Sequence, residues 1–159
     1  VQITLEEAYH GTQRILQIND RKIEVKIPAG AKNGTKIRVA GAGPVDQYGQ
    51  KSDIYLVIEL LPHPRFMVNG SDLTTEVKID LFTAVLGGTV TVNTLSGDVS
   101  LTIPPGTQPG QKFRLTGRGM PLLKSSGSYG NLYVVVKVEL PKKLNEEQKK
   151  LFEELRRKS

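Results

Sequence analysis

The sequence predicts an all-β protein: two tandem homologous β-sandwich domains followed by a C-terminal α-helix. Three observations predict this fold class. The first is a duplication, in which Ile3–Gly43 lies over Ile79–Gly119 at a constant offset of 76 residues, with 12 of 41 pairs identical. A period this long means two copies of one small domain, not a solenoid. The second is a series of short runs in which apolar and polar residues alternate, the mark of half-buried strands. The third is the tail, the only stretch that combines helix caps at both ends with an apolar stripe between them.

Taken in order, Val1 and Ile3 alternate with Gln2 and Thr4 as a strand, and Leu5–Tyr9 is long enough for only a helical turn or two. Thr12–Ile18 reads as a strand ended by Asn19-Asp20, whose side chains favour a hairpin turn. Ile23, Val25 and Ile27 alternate with Lys22, Glu24 and Lys26 in a third strand. Pro28 and Gly30 end it, because proline cannot donate to a ladder and glycine tolerates positive φ. A short strand at Thr35–Val39, a loop over Gly41–Ser52 and a long strand over Asp53–Leu61 complete the first copy. The second repeats it, with strands around Leu73–Ile79, Thr89–Asn93, Val99–Ile103 and Lys112–Leu115 and a helical turn at Leu81–Leu86. Its last strand carries Leu132, Val134, Val136, Val138 and Leu140 on one side. The predicted domains are residues 1–66 and 67–142, with the helix in 143–159.

In that helix Asn145 is an N-cap, Gln148 is placed for a capping box, and Arg156, Arg157 and Lys158 oppose the macrodipole at the far end. Leu144, Leu151, Phe152 and Leu155 form its apolar stripe. A helix of about 13 residues is marginal alone. The stripe therefore packs either on its own domain or on a second copy of the chain.

Composition excludes several classes. The chain has 159 residues and no cysteine, which removes disulfides and zinc ribbons and fits a reducing, cytoplasmic setting. No apolar run reaches the roughly 18 residues needed to span a bilayer, and no signal peptide is expected. Val1 already lies inside an alternating pattern, as expected of a piece of a longer protein. The net charge of +6 suits nucleic acid, acidic peptides or simply a solvated surface. His10 and His63 have no partner at metal-ligand spacing, and the Gly41-Ala42-Gly43 and Gly117-Arg118-Gly119 turns complete no phosphate-binding fingerprint. No acid–base pair stands out, so neither an enzyme nor a cofactor is expected.

The strand Thr12–Ile18 is the informative one. Arg14, Leu16 and Ile18 share one face, and Ile15 lies on the other with Gln13 and Gln17. Apolar residues on both faces mean either a doubly covered strand or an exposed groove beside a cation, suited to an extended peptide with apolar and acidic side chains.

Several motifs together resemble the C-terminal region of DnaJ-type (heat-shock protein 40) co-chaperones. In the first copy they are Thr4-Leu5-Glu6-Glu7-Ala8-Tyr9-x-Gly11, Ile27-Pro28-Ala29-Gly30, Gly34-Thr35-Lys36-Ile37-Arg38 and His63-Pro64-x-Phe66. In the second they are Ala84-Val85-Leu86-Gly87-Gly88, Ile103-Pro104-x-Gly106-Thr107 and Gly117-x-Gly119-Met120-Pro121. The lack of a Cys-rich insert resembles class B members, which have no zinc module. The resemblance implies two β-sandwich domains and a horseshoe homodimer joined through the C-terminal helix, here Leu151, Phe152 and Leu155. It also implies that unfolded client polypeptides bind a shallow depression on the first domain and pass to a DnaK-type chaperone. By motif position that depression is lined by Val1, Leu16, Ile18 and Phe66, with Arg14 at its edge. The partner chaperone's acidic tail is expected at Arg14 and Lys22. Val68 stands where the family usually has Arg, and Ser52-Asp53-Ile54-Tyr55 and Gly130-Asn131-Leu132-Tyr133 replace Gly-Asp-Leu-Tyr. The His-Pro-Asp triplet of a J domain is absent, so this chain alone is not expected to stimulate a partner's ATPase. The competing expectation is a basic, DNA-associating module of a nucleoid-type J-domain protein.

Overall fold

The computed structural model of the chain describes residues 1–18, 20–45 and 47–159. In the first half β1 (Gln2–Ile3) and α1 (Leu5–His10) precede a hairpin of β2 (Thr12–Ile18) and β3 (Arg21–Ile27). Strands β4 (Lys36–Val39), β5 (Ile54–Val57) and β6 (Glu59–Leu60) follow. The second half contains β7 (Met67–Asn69), β8 (Asp72–Asp80), α2 (Leu81–Leu86), β9 (Gly88–Thr94), β10 (Gly97–Ile103), β11 (Lys112–Leu115) and β12 (Leu132–Glu139). The chain ends in α3 (Glu146–Lys158). Asn19, half of the expected hairpin turn, lies outside the described residues; Asp20 beside it has φ +64°.

The duplication is reproduced in the main strand pairings. In each half the first strand pairs in parallel with the last: Gln2 and Ile3 face Glu59 and Leu60, and Lys78 and Ile79 face Lys137 and Val138. The antiparallel pair β4–β5 has its counterpart in β11–β12, and the hairpin β2–β3 in β9–β10. Gly34 N–H donates to the Ile58 carbonyl and Gly110 N–H to that of Val136, both at 2.8 Å. Gly41 N–H donates to the Asp53 carboxylate, and Gly117 N–H to the Asn131 amide oxygen. The departure from Gly-Asp-Leu-Tyr at Asn131 therefore keeps the acceptor and drops the charge.

Two expectations change. The long strand over Asp53–Leu61 is split at Ile58, whose N–H donates to Thr35 O while its carbonyl accepts from Gly34. That residue hands the chain from an antiparallel partner to a parallel one, so alternation of burial persists while the ladder breaks. Leu140 is 68% exposed, because β12 stops at Glu139 and Pro141 cannot continue it.

Ile3, Leu5, Ile27, Ile58, Leu73, Ile103, Leu132, Val134 and Val136 are almost fully buried and belong to one cluster that spans both halves. A smaller cluster, built on Val25, Val39 and Ala42, sits between β2–β3 and β4–β5. The halves touch at Gly30, where a Cβ would stand 2.5 Å from the Pro121 carbonyl oxygen. Asn145 caps α3, and it exchanges side-chain hydrogen bonds with Gln148 in the expected capping box. Phe152 faces Phe82 of α2 at 6.2 Å, while Leu151 and Leu155 stay 59% and 62% exposed. Among the described residues no helix is long and apolar enough to cross a membrane.

Candidate peptide-binding surface

The short helix α1 places the charged edge of the first hairpin. Thr4 caps it by accepting from Glu7 N–H, and the Glu7 carboxylate accepts Thr4 N–H in return. The same carboxylate takes the Arg14 guanidinium in two contacts, Nη1–Oε2 at 2.5 Å and Nη2–Oε1 at 2.8 Å. Arg14, with the help of Thr4 and Thr12, pulls the Glu7 carboxyl down to about 2 from its ordinary 4.5. Because the folded value is the lower one, Glu7 stabilises the fold above pH 4.5 and loses that contribution as pH falls through about 2. Melting temperatures of the native chain and of Glu7→Gln should therefore converge between pH 4.5 and 2; a constant gap would refute the linkage.

Arg14, Leu16 and Ile18 share the inner face of β2, as the alternation predicts, and all three are half-buried. Leu16 and Ile18 pack on the Val25–Val39–Ala42 cluster with Ile23, Ile37, Ile54 and Leu56 around it. The covering is incomplete on this side and absent on the other, where Ile15 is 71% exposed.

The remaining candidates sit elsewhere. Val1 packs against the large cluster, and its ammonium donates to the Val57 carbonyl. Phe66, expected in the depression, is only 3% exposed within that large cluster, not the cluster of Leu16 and Ile18. Its ring lies between the His63 imidazole, 5.1 Å between centroids, and the Arg65 guanidinium, 5.7 Å above it. The linker that carries it crosses between the halves, so both compete for the ring. Lys22 pairs with Gln17 and Arg14 with Val25, so the two cations stand on opposite faces of the hairpin. The hairpin turn expected from the sequence at Asn19-Asp20 already implies that register, and parity was the available signal. An acidic group therefore cannot engage Arg14 and Lys22 from one face, and it meets Arg14 only in competition with Glu7.

A network in the linker carries no local sequence signal. Arg65 N–H donates to His63 Nδ1 at 3.0 Å, which leaves the imidazole proton on Nε2, 2.7 Å from the Glu6 carboxylate. Arg65 Nη1 donates to Asn93 Oδ1 on β9 at 2.9 Å, and Thr75 Oγ1 donates to the Arg65 carbonyl. No group of three or more His, Cys, Asp or Glu suited to a metal occurs among the described residues.

Comparison with known proteins agrees with the architecture. The DnaJ C terminal domain family matches residues 1–141. The chain is 40% identical over 156 residues to "Chaperone protein DnaJ" of Deinococcus proteolyticus, which covers 98% of this chain and 48% of that relative. It is 40% identical over 153 residues to "Chaperone protein DnaJ 2" of Thermus thermophilus, covering 96% of this chain and 53% of the other. "Curved DNA-binding protein" of Coxiella burnetii is 38% identical over 170 residues, covering 98% and 53%. The chain thus spans about half the length of these curated relatives. With the repeat, the paired hairpins and a match over almost its whole length, the chain belongs to the DnaJ C-terminal domain family.

Proposed function

We propose that this chain is the client-holding part of a co-chaperone, which binds extended segments of unfolded polypeptides and presents them to a DnaK-type chaperone. One observation supports the reading most directly: Leu16 and Ile18 are neither core nor surface, on a strand whose opposite face is also open. Half-covered aliphatic side chains gain from a guest that completes their burial, at about 25 cal/mol per Å². Arg14, fixed by Glu7, orders the edge of this strip. Phe66 serves as a core prop for the linker. Two copies of the chain pair through Leu151, Phe152 and Leu155, so each dimer offers two such strips.

Leu16→Asp, which puts a carboxylate among the strip's aliphatic groups, should weaken binding of an extended apolar peptide at least tenfold in a fluorescence titration. Melting should confirm that the variant is folded. Unchanged affinity would move the site off this hairpin. The second reading, DNA association, is favoured by the net charge of +6 and the likeness to the Coxiella protein. It requires duplex affinity to fall steeply with salt, whereas peptide held by an apolar strip changes little.

A further inference from the structure

The side-chain contacts of the linker form a chain that starts in one half and ends in the other. Glu6 Oε1 on α1 accepts from His63 Nε2 at 2.7 Å, His63 Nδ1 accepts the Arg65 N–H at 3.0 Å, and Arg65 Nη1 donates to Asn93 Oδ1 on β9 at 2.9 Å. Pro62 and Pro64 flank the histidine and stiffen the backbone on both sides of it. The imidazole is only 8% exposed. A second joint lies further along α1. There Gly30 N–H donates to Ala8 O at 2.8 Å, Gly30 lies against the Pro121 carbonyl, and Tyr9 faces Tyr129 at 6.0 Å. Two joints fix the angle between the halves; with one released, the halves turn about the other.

The first joint depends on one proton. In the neutral ring Nε2 donates and Nδ1 accepts. A proton on Nδ1 sets two donors, Nδ1–H and the Arg65 N–H, face to face, and it adds positive charge beside the Arg65 guanidinium. The same proton turns the Glu6 contact into an ion pair. The charged ring therefore keeps α1 and loses the arm that leads to β9. The charged groups around it are Glu6 from α1, Arg65 from the linker, and Glu76 and Lys78 from β8 along the same opening. A backbone hydrogen bond at Glu6, and then the one from His63, hold the Glu6 carboxyl below its ordinary 4.5. It stays ionised across the range in which imidazoles titrate, about pH 5–8.

We propose that His63 is a proton-operated latch between the halves: neutral, it ties the linker to both, and protonated, it drops the Arg65 arm and lets the halves swing about the Gly30–Pro121 joint. The device needs no bound guest. On the client-holding reading, with two copies paired through α3, the swing changes the span between the two strips of a dimer. The other imidazole, His10, borders the second joint edge-on to Tyr9 at 5.0 Å, so the test must separate the two histidines.

The chain has no cysteine, so a pair of nitroxide labels reads the angle directly. They sit at Lys26→Cys on β3 and Thr102→Cys on β10, exposed positions related by the repeat. Labelled chain is diluted into an excess of unlabelled chain, so that only distances within one molecule count, and the nitrogen NMR shifts of the His63 ring follow its proton. The distance distribution should be narrow at about pH 8 and broaden at about pH 5 as His63 is protonated. Protection of the Arg65 amide against hydrogen exchange, corrected for the intrinsic effect of pH, should fall about fivefold, the worth of one modest hydrogen bond. His63→Asn offers the Arg65 amide an oxygen in place of Nδ1 and has no proton to gain, so its distribution should not change with pH. Arg65→Ala should be broad throughout. A ring that stays neutral down to about pH 5 would overturn the trigger, and a native distribution that stays narrow while the ring titrates would overturn the joint. Broadening that persists in His63→Asn would assign the effect to His10 and overturn the latch, and a narrow distribution in Arg65→Ala would overturn the Arg65 arm. Each of these outcomes leaves the client-holding reading standing, because none involves a guest.

Discussion

Ending the chain at Leu144 should halve its sedimentation mass, the result expected of two copies paired through α3. The helix that this removes is well capped yet touches its own half chiefly through Phe152 on Phe82, and Leu151 and Leu155 face outward. Phe82, Val85 and Leu86 on α2 are each more than half exposed, so the apolar area left open at this end is far larger than scattered surface leucines account for. Burying about three such side chains per protomer gives roughly 5–9 kcal/mol gross. Part of that is offset by the entropy of association. The double variant Leu151→Asp with Leu155→Asp should give the same monomer while keeping the helix. A truncated chain that sediments at the mass of the full one would refute pairing through α3.

Replacing Gly130 with alanine should be the most damaging single methyl in the second half. Its added Cβ would lie 2.1 Å from the Ser71 carbonyl oxygen and 2.6 Å from that residue's carbonyl carbon. Neither can yield cheaply, since Ser71 O accepts Met120 N–H, Gly130 N–H donates to Met120 O, and Gly130 O accepts Gly119 N–H. Forcing backbone apart at the start of β8 and β12 should cost about 3 kcal/mol, the upper end for overpacking. Gly127→Ala is the control: with φ +85° and no atom near its Cβ, only the left-handed backbone penalty of about 1–2 kcal/mol applies. Urea midpoints read both, and equal losses would mean that the crossing at Ser71 is softer than its hydrogen bonds imply.

Local chemistry carried much of the fold into view before any coordinates. The alternation in Thr12–Ile18, the Thr4 and Asn145 caps and the matched glycines each depend on neighbours a few positions away, and each appears where the pattern puts it. What escaped depends on partners distant in sequence. Nothing local distinguishes Phe66 from Leu16 as a lining side chain; the linker's path between halves decides it. Arg14 looked free until α1 brought Glu7 beside it. Ser52 occupies the position of Gly130 in the first copy, and its hydroxyl donates to the Pro44 carbonyl at 3.0 Å.

The parallel pairing of first strand with last sets the order in which this molecule can be born on the ribosome. Leu73 meets Leu132, 59 positions later, and Ile3 meets Leu60 after 57, so neither unit can close until nearly all of it has left the exit tunnel. Contacts so distant along the chain make for slow maturation. A nascent copy spends that interval with its own aliphatic strands uncovered.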